Sequence, residues 1–181
     1  MRRLAARSAV SHGGASFVQV NAKVAAQLQQ HVIDRAVSYA PRVMVDAYAG
    51  AGTIALAMAA RHVAVTAVEL DAEAVARFAD QLRAPSRAVV GRVEDHLASA
   101  LPADVVLLNP PRAGVDAQVT DILQRAKRPP RCLIYVSCDP ATLARDIARM
   151  PRYRLAGVRA YDMFPQTAHV ETVCELVSEV E

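Results

Sequence analysis

The feature that most limits what this chain can fold into is a set of short, almost unbroken apolar runs separated by amphipathic stretches. "VMVDAYA" (43 to 49), "VAVTAVEL" (63 to 70), "ADVVLLN" (103 to 109) and "CLIYVSC" (132 to 138) lack the apolar–polar alternation of a strand with one wet face. Such runs read as strands buried on both faces, with "RAVVGRV" a further strand in the same series. The stretches between them have helical periodicity: "GTIALAMAARH", "DAEAVARFADQLRA" opened by Asp71, "DAQVTDILQRAKR" opened by Asp116, and "PATLARDIARM" with Pro140 suited to a first turn. A helix over residues 22 to 40 precedes the first strand and stops before Pro41. Two strands, "YRLAGVRAYDMF" and "VETVCELVSEV", end the chain. Strands alternating with helices imply a mostly parallel sheet covered on both faces.

A chain of 181 residues, 53% apolar, is sized for one domain with a full core. Aromatics make up only 4% and tryptophan is absent, so alanine, valine and leucine must fill that core. Cys132, Cys138 and Cys174 are an odd set without disulfide or zinc spacing, which favours a reducing compartment. No apolar run approaches the length of a membrane span, and no apolar signal segment follows the basic start at Arg2, Arg3 and Arg7. A soluble cytoplasmic protein is therefore expected. The net charge of +3 permits a nucleic-acid partner without demonstrating one. Basic residues concentrate in "RAKRPPR" (125 to 131) and "RDIARMPRYR" (145 to 154). These runs read either as a solvated helix face with its loop or as phosphate contacts.

In a parallel sheet, ligands bind beyond the carboxyl ends of the strands. "DAYAGAGT" (46 to 53) lies at the first such end, where Gly50 and Gly52 allow a tight turn and close backbone approach. Glu69 ends the second strand, where a carboxylate can accept both hydroxyls of a ribose. Together they suggest a nucleoside-containing cofactor. Thr53 follows Gly52, with neither the third glycine of the dinucleotide pattern nor the Gly-Lys-Ser/Thr of a P-loop. That moves the reading from NAD toward S-adenosylmethionine. "NPPRAG" (109 to 114) is stiffened by two prolines, and Asn109 can meet either a base edge or a cofactor. Cys138, at a strand end with a helix opening behind it, is expected to be an accessible thiol with a lowered pKa.

"FVQVN" (17 to 21), "VDAYAGAGT" (45 to 53), "VVLLNPPRAG" (105 to 114), "YVSCDPATLARD" (135 to 146) and "DMFPQTAHVETV" (162 to 173) occur together and in order. With these motifs the chain resembles the catalytic domain of the RNA uracil-5-methyltransferases, which make 5-methyluridine in transfer and ribosomal RNA. The resemblance covers roughly residues 13 to 178 and implies S-adenosylmethionine as cofactor and RNA as partner. It implies Cys138 as the nucleophile that adds to carbon 6 of uracil and Glu171 as the base that removes the carbon-5 proton. Gln19, Tyr48, Gly50, Gly52, Thr53, Glu69 and Asn109 match cofactor positions. Phe17 matches an aromatic position near the target base, and Arg112 and Asn109 face the substrate. Asn109 stands where the family usually has aspartate. His169 reads equally as a loop partner and as a structural histidine, while Cys132 and Cys174 read as small core hydrophobes.

The strand–helix alternation and the two terminal strands predict a seven-stranded sheet in the order 3-2-1-4-5-7-6 with the last strand antiparallel, and the resemblance implies the Rossmann-like class I S-adenosylmethionine-dependent methyltransferase fold. Family members commonly carry an N-terminal RNA-binding barrel and a central domain, in some with an iron–sulfur cluster. Residues 1 to 181 are read as the methyltransferase domain alone: a catalytic-domain fragment, a truncated product, or an enzyme with RNA affinity from elsewhere. Alternatives are an adenine amino-methyltransferase, where Arg112 would replace the expected aromatic residue, and a non-catalytic binding fragment. A cytosine-5 enzyme would want a thiol in "NPPRAG".

Overall fold

A computed structural model describes residues 21–163 and 170–179. Seven strands form one sheet: β1 (Val43–Ala47), β2 (Ala64–Glu69), β3 (Arg87–Val90), β4 (Val105–Leu108), β5 (Cys132–Ser137), β6 (Tyr153–Tyr161) and β7 (Glu171–Ser178). Their order is β3-β2-β1-β4-β5-β7-β6, as the alternation predicts. β1 to β5 pair in parallel, and β7 runs antiparallel to both β5 and β6.

Six α-helices cover the sheet: α1 (Ala22–Ser38), α2 (Thr53–Ala59), α3 (Ala72–Phe78), α4 (Val93–Ala100), α5 (Ala117–Arg125) and α6 (Pro140–Ala148). The starts of four are fixed by short polar side chains that take otherwise unpaired N–H groups. Asn21 accepts from Val24, Asp71 from Glu73 and Ala74, Asp116 from Gln118, and Asp139 from Thr142. Helix α2 instead begins at Gly52, in the left-handed region at φ 74° with no side-chain cap. Helix α4 is not evident in the sequence. Its eight residues bury only Val93, Leu97 and Ala100, and Arg92 offers no cap, so neither period nor start signal stands out. The expected strand over "RAVVGRV" accordingly gives up its end to that helix.

Side chains alternate across the sheet with a period of two, which divides the interior into two cores. Met44, Val65, Leu107, Ile134, Val136 and Val173 pack beneath α1, α2 and α3. Val45, Val68, Leu108, Leu133, Tyr135 and Leu176 pack against α4, α5 and α6. Val136 and Val173 each stand two residues from a candidate site residue, Cys138 and Glu171, so strand alternation directs both of those toward the α1 face. The register Ser137↔Thr172 brings them to the same edge.

The loop after β4 is tied to α6 from below. Asp146, fully buried, accepts from the Val115 N–H at 3.0 Å and the Tyr135 hydroxyl at 2.8 Å. Arg145 donates to the Ala113 carbonyl at 2.8 Å. Gly114 makes this approach possible. Its φ is +79°, and a Cβ there would stand 2.3 Å from an Asp146 carboxylate oxygen and 2.4 Å from Thr142 Cγ2. Replacing Gly114 with alanine should lower stability by about 1–3 kcal/mol through backbone strain and displacement of Asp146. Urea denaturation measures this; an unchanged midpoint would mean that the loop does not depend on the clamp.

Candidate active site

Two adjoining cavities open at the carboxyl edge of the sheet and share Gly50, Asn109 and Pro111. One, of about 770 Å³, is bordered by Tyr48, Glu69, Gly91, Glu94, Val115 and Arg145. The other, of about 840 Å³, lies under α1 and holds Gln29, Thr53, Arg112, Cys138 and Glu171. Phe17, Gln19 and His169 lie outside the described residues.

The first cavity is organised by Glu69. Its carboxylate accepts from the Gly50 N–H at 2.7 Å and from the Asp71 N–H at 2.9 Å. The acid expected from the sequence to take a ribose therefore also pins the glycine turn. An ionised carboxylate has about four acceptor positions, so each oxygen retains one for a ligand. Gly50 has φ +54° and nothing within 4 Å of a Cβ position, which leaves open space beside its backbone. Gly52 serves packing instead: a Cβ would lie 2.4 Å from the Phe78 ring. Tyr48 occupies the left-handed region at φ 65°, uncommon for a bulky residue. Burial, with the charges of Glu94, Asp116 and Asp146, holds its phenol protonated.

Asp46 was not picked out by the sequence beyond its place in the glycine motif. It is buried at the end of β1, and one carboxylate oxygen has no hydrogen-bond partner. Burial, against the Ala55 N–H and with the charge of Glu69, pushes its carboxyl up to about 7. An acid inside an apolar strand was the available signal.

In the second cavity, Arg112 stands with both reactive candidates, and its charge favours the thiolate of Cys138 and the carboxylate of Glu171. The expected low thiol pKa of Cys138 is not found. Burial foremost, then the Glu171 charge, push it up, while Arg112 pulls it down. The helix start behind the thiol spends its Thr142 N–H on Asp139 rather than on sulfur. Burial likewise raises Glu171, with Arg112 opposing. The arrangement is a desolvated thiol and carboxylate with a shared cation between them in effect. Asn109, exposed where the cavities meet, anchors its N–H on the Ala47 carbonyl at 3.3 Å. Cys132 and Cys174 are buried in the sheet, and burial pushes the Cys132 thiol up to about 12. Among the described residues, no group of three or more His, Cys, Asp or Glu could hold a metal ion, and no helix is long and apolar enough to cross a membrane.

Residues 86–178 match the family described as tRNA (Uracil-5-)-methyltransferase, and residues 10–129 match the methyltransferase small domain. The chain is 36% identical over 169 residues to a 23S rRNA (uracil(1939)-C(5))-methyltransferase of Chromohalobacter salexigens, covering 90% of this chain and 35% of that protein. A 23S rRNA (uracil(747)-C(5))-methyltransferase of Shewanella oneidensis is 31% identical over 171 residues, covering 91% and 44%. Among solved structures, the Pyrococcus abyssi tRNA (uracil-54, C5)-methyltransferase in complex with S-adenosyl-L-homocysteine superposes with a TM-score of 0.75 at 31% identity. That match covers 90% of this chain and 40% of the other. The chain thus spans less than half the length of these relatives.

The opposed influences on Cys138 set its alkylation behaviour. Iodoacetamide should modify Cys138 slowly at neutral pH and faster as pH rises through its raised pKa. Arg112→Ala should move that profile to higher pH, and Glu171→Gln to lower pH. Mass spectrometry of the labelled peptide reads both; coincident profiles in all three proteins would remove the two neighbours from control of the thiol.

Proposed function

Because the chain belongs to the RNA (uracil-5-)-methyltransferase family, we propose that it methylates carbon 5 of uracil in RNA through a covalent adduct on Cys138. The observation that carries this reading is the convergence of Cys138, Arg112 and Glu171 in one cavity that joins a second, nucleoside-sized one. The cavity organised by Glu69 fits S-adenosylmethionine: Glu69 keeps free acceptor positions for ribose hydroxyls, and Gly50 leaves space beside its backbone. Tyr48 and Asn109 line the same cavity and Thr53 the adjoining one, with Gln19 the remaining family position. Bound there, this cofactor supplies an electrophilic methyl group.

Carbon 5 of uracil is a weak nucleophile until a group adds at carbon 6. Cys138, as thiolate, forms that bond, and the electron pair of the C5–C6 double bond moves through carbon 5 onto the carbonyl at carbon 4. Arg112 stabilises the thiolate that must form in a site where burial opposes it. After carbon 5 has gained its methyl, Glu171 takes the proton from the same carbon. The electron pair left behind restores the double bond and expels Cys138 as thiolate. A carboxyl raised by burial is better matched to this proton than an exposed one. Phe17 is proposed to lie against the target base.

Glu69→Ala should weaken cofactor binding by about 1–3 kcal/mol, measured by calorimetry, since it leaves hydroxyls without a partner. Unchanged affinity would take Glu69 out of that role. The two catalytic residues should fail in different ways. Cys138→Ala should abolish methyl transfer and leave the cofactor bound. Glu171→Gln should transfer the methyl and then stall, trapping a protein–RNA adduct that runs slowly on a denaturing gel. RNA carrying 5-fluorouridine should trap the unaltered protein in the same way, because fluorine cannot leave as a proton. Normal methylation by Cys138→Ala, or an adduct on Cys132 or Cys174, would defeat the mechanism.

A further inference from the structure

Two arginines on the rim of the first cavity have no part in this chemistry. Arg145 and Arg149 stand on and just beyond α6, with side chains 45% and 40% exposed. Between them lies the fully buried carboxylate of Asp146. Its Oδ1 accepts from Arg145 Nε at 2.9 Å and Nη2 at 2.8 Å, and from Arg149 Nη1 at 3.3 Å. Its Oδ2 is already taken by the Val115 N–H and the Tyr135 hydroxyl. One carboxylate thus faces two guanidiniums, and this trio by itself carries a net charge of +1. Arg149 commits a single N–H to Asp146, and its other donors have no hydrogen bond among the described residues.

Other basic positions are differently employed. The run over residues 125 to 131 joins α5 to the start of β5, at the opposite edge of the sheet from Cys138. Arg131 turns to Asp104 at 3.5 Å, and Arg152 donates to the Gln124 and Ala126 carbonyls at 3.2 and 2.7 Å. Of the acids beside the same cavity, Glu94 pairs with Arg92, and Asp116 caps α5 through the Gln118 N–H. Among the described residues, neither forms an ion pair with Arg145 or Arg149. A guanidinium fixed along one edge by a buried carboxylate has little freedom left to lose, and its planar fork matches two phosphate oxygens.

We propose that Arg145 and Arg149, preset by Asp146, form a phosphate subsite for the RNA backbone on the α6 rim of the cleft. The proposal rests on RNA as the substrate and assigns where the strand crosses the protein. It is tested with a single-stranded, uridine-containing RNA oligonucleotide, by measuring affinity against salt concentration for the parent chain, Arg149→Ala, Arg149→Lys and Lys127→Ala. Loss of one phosphate contact should reduce the slope of log K against log salt by about 0.7. Arg149→Ala should show that reduction and bind roughly three- to tenfold more weakly near 0.1 M salt. Arg149→Lys should recover most of the slope, and Lys127→Ala should match the parent. An unaltered slope in Arg149→Ala, an equal loss in Lys127→Ala, or parent binding that ignores salt would each overturn the subsite. Failure of the covalent mechanism is distinguishable, since salt-dependent binding would then persist without any adduct on Cys138.

Discussion

The antiparallel pairing of β7 with β5 is the constraint on which the rest depends. In a wholly parallel sheet, the start of any strand lies at the amino edge, far from the carboxyl edge where ligands gather. Reversing β7 and inserting it beside β5 sets Glu171, the first residue of one strand, next to the last residues of the other. The two-residue period then decides the face. Cys138 and Glu171 share the parity of Val136 and Val173, and both open under α1 rather than toward α6. A register shift of one residue would send the carboxylate to the wrong side of the sheet.

The two edges of the sheet treat their partly or fully buried polar groups differently. At the amino edge Asp104 is satisfied, accepting from the Arg42 and Val43 N–H groups at 2.7 and 3.0 Å. Burial would raise its carboxyl, yet those N–H groups and the nearby Arg131 and Arg42 hold it below its ordinary range. At the carboxyl edge Asp46 keeps an unpartnered oxygen, and the groups of Cys138 and Glu171 are raised rather than relieved. Unrelieved polarity at one edge and satisfied polarity at the other is the pattern expected when one edge is built to meet something else.

Much of this was legible in the sequence because strands buried on both faces cannot disguise their apolar runs. The order of the sheet and the direction of β7 followed from the alternation and from the two strands at the end of the chain. Helix α4 escaped because eight residues with three buried positions carry too little period, and Arg92 gives no start signal. The raised pKa of Cys138 is not legible in the sequence because a strand end followed by a helix says nothing about depth, and burial outweighs the helix start. The basic runs looked equivalent in one dimension. Only the path of the chain separates residues 125 to 131, at the amino edge, from Arg145 and Arg149 beside the cleft. The double duty of Glu69, holding the turn it would share with a ligand, likewise depends on distances that no spacing rule supplies.

Gly52 carries a lesson about how variation in such loops is interpreted. A glycine in a nucleoside-binding turn is usually credited to the ligand, and its loss is scored as damage to recognition. Here the atom that a larger residue would add collides with Phe78, on the core side of the turn. The room for a side chain at position 52 is therefore set by the size of residue 78. A smaller residue at position 78 would relax the steric demand at position 52. The residual demand would be conformational, set by the left-handed backbone alone.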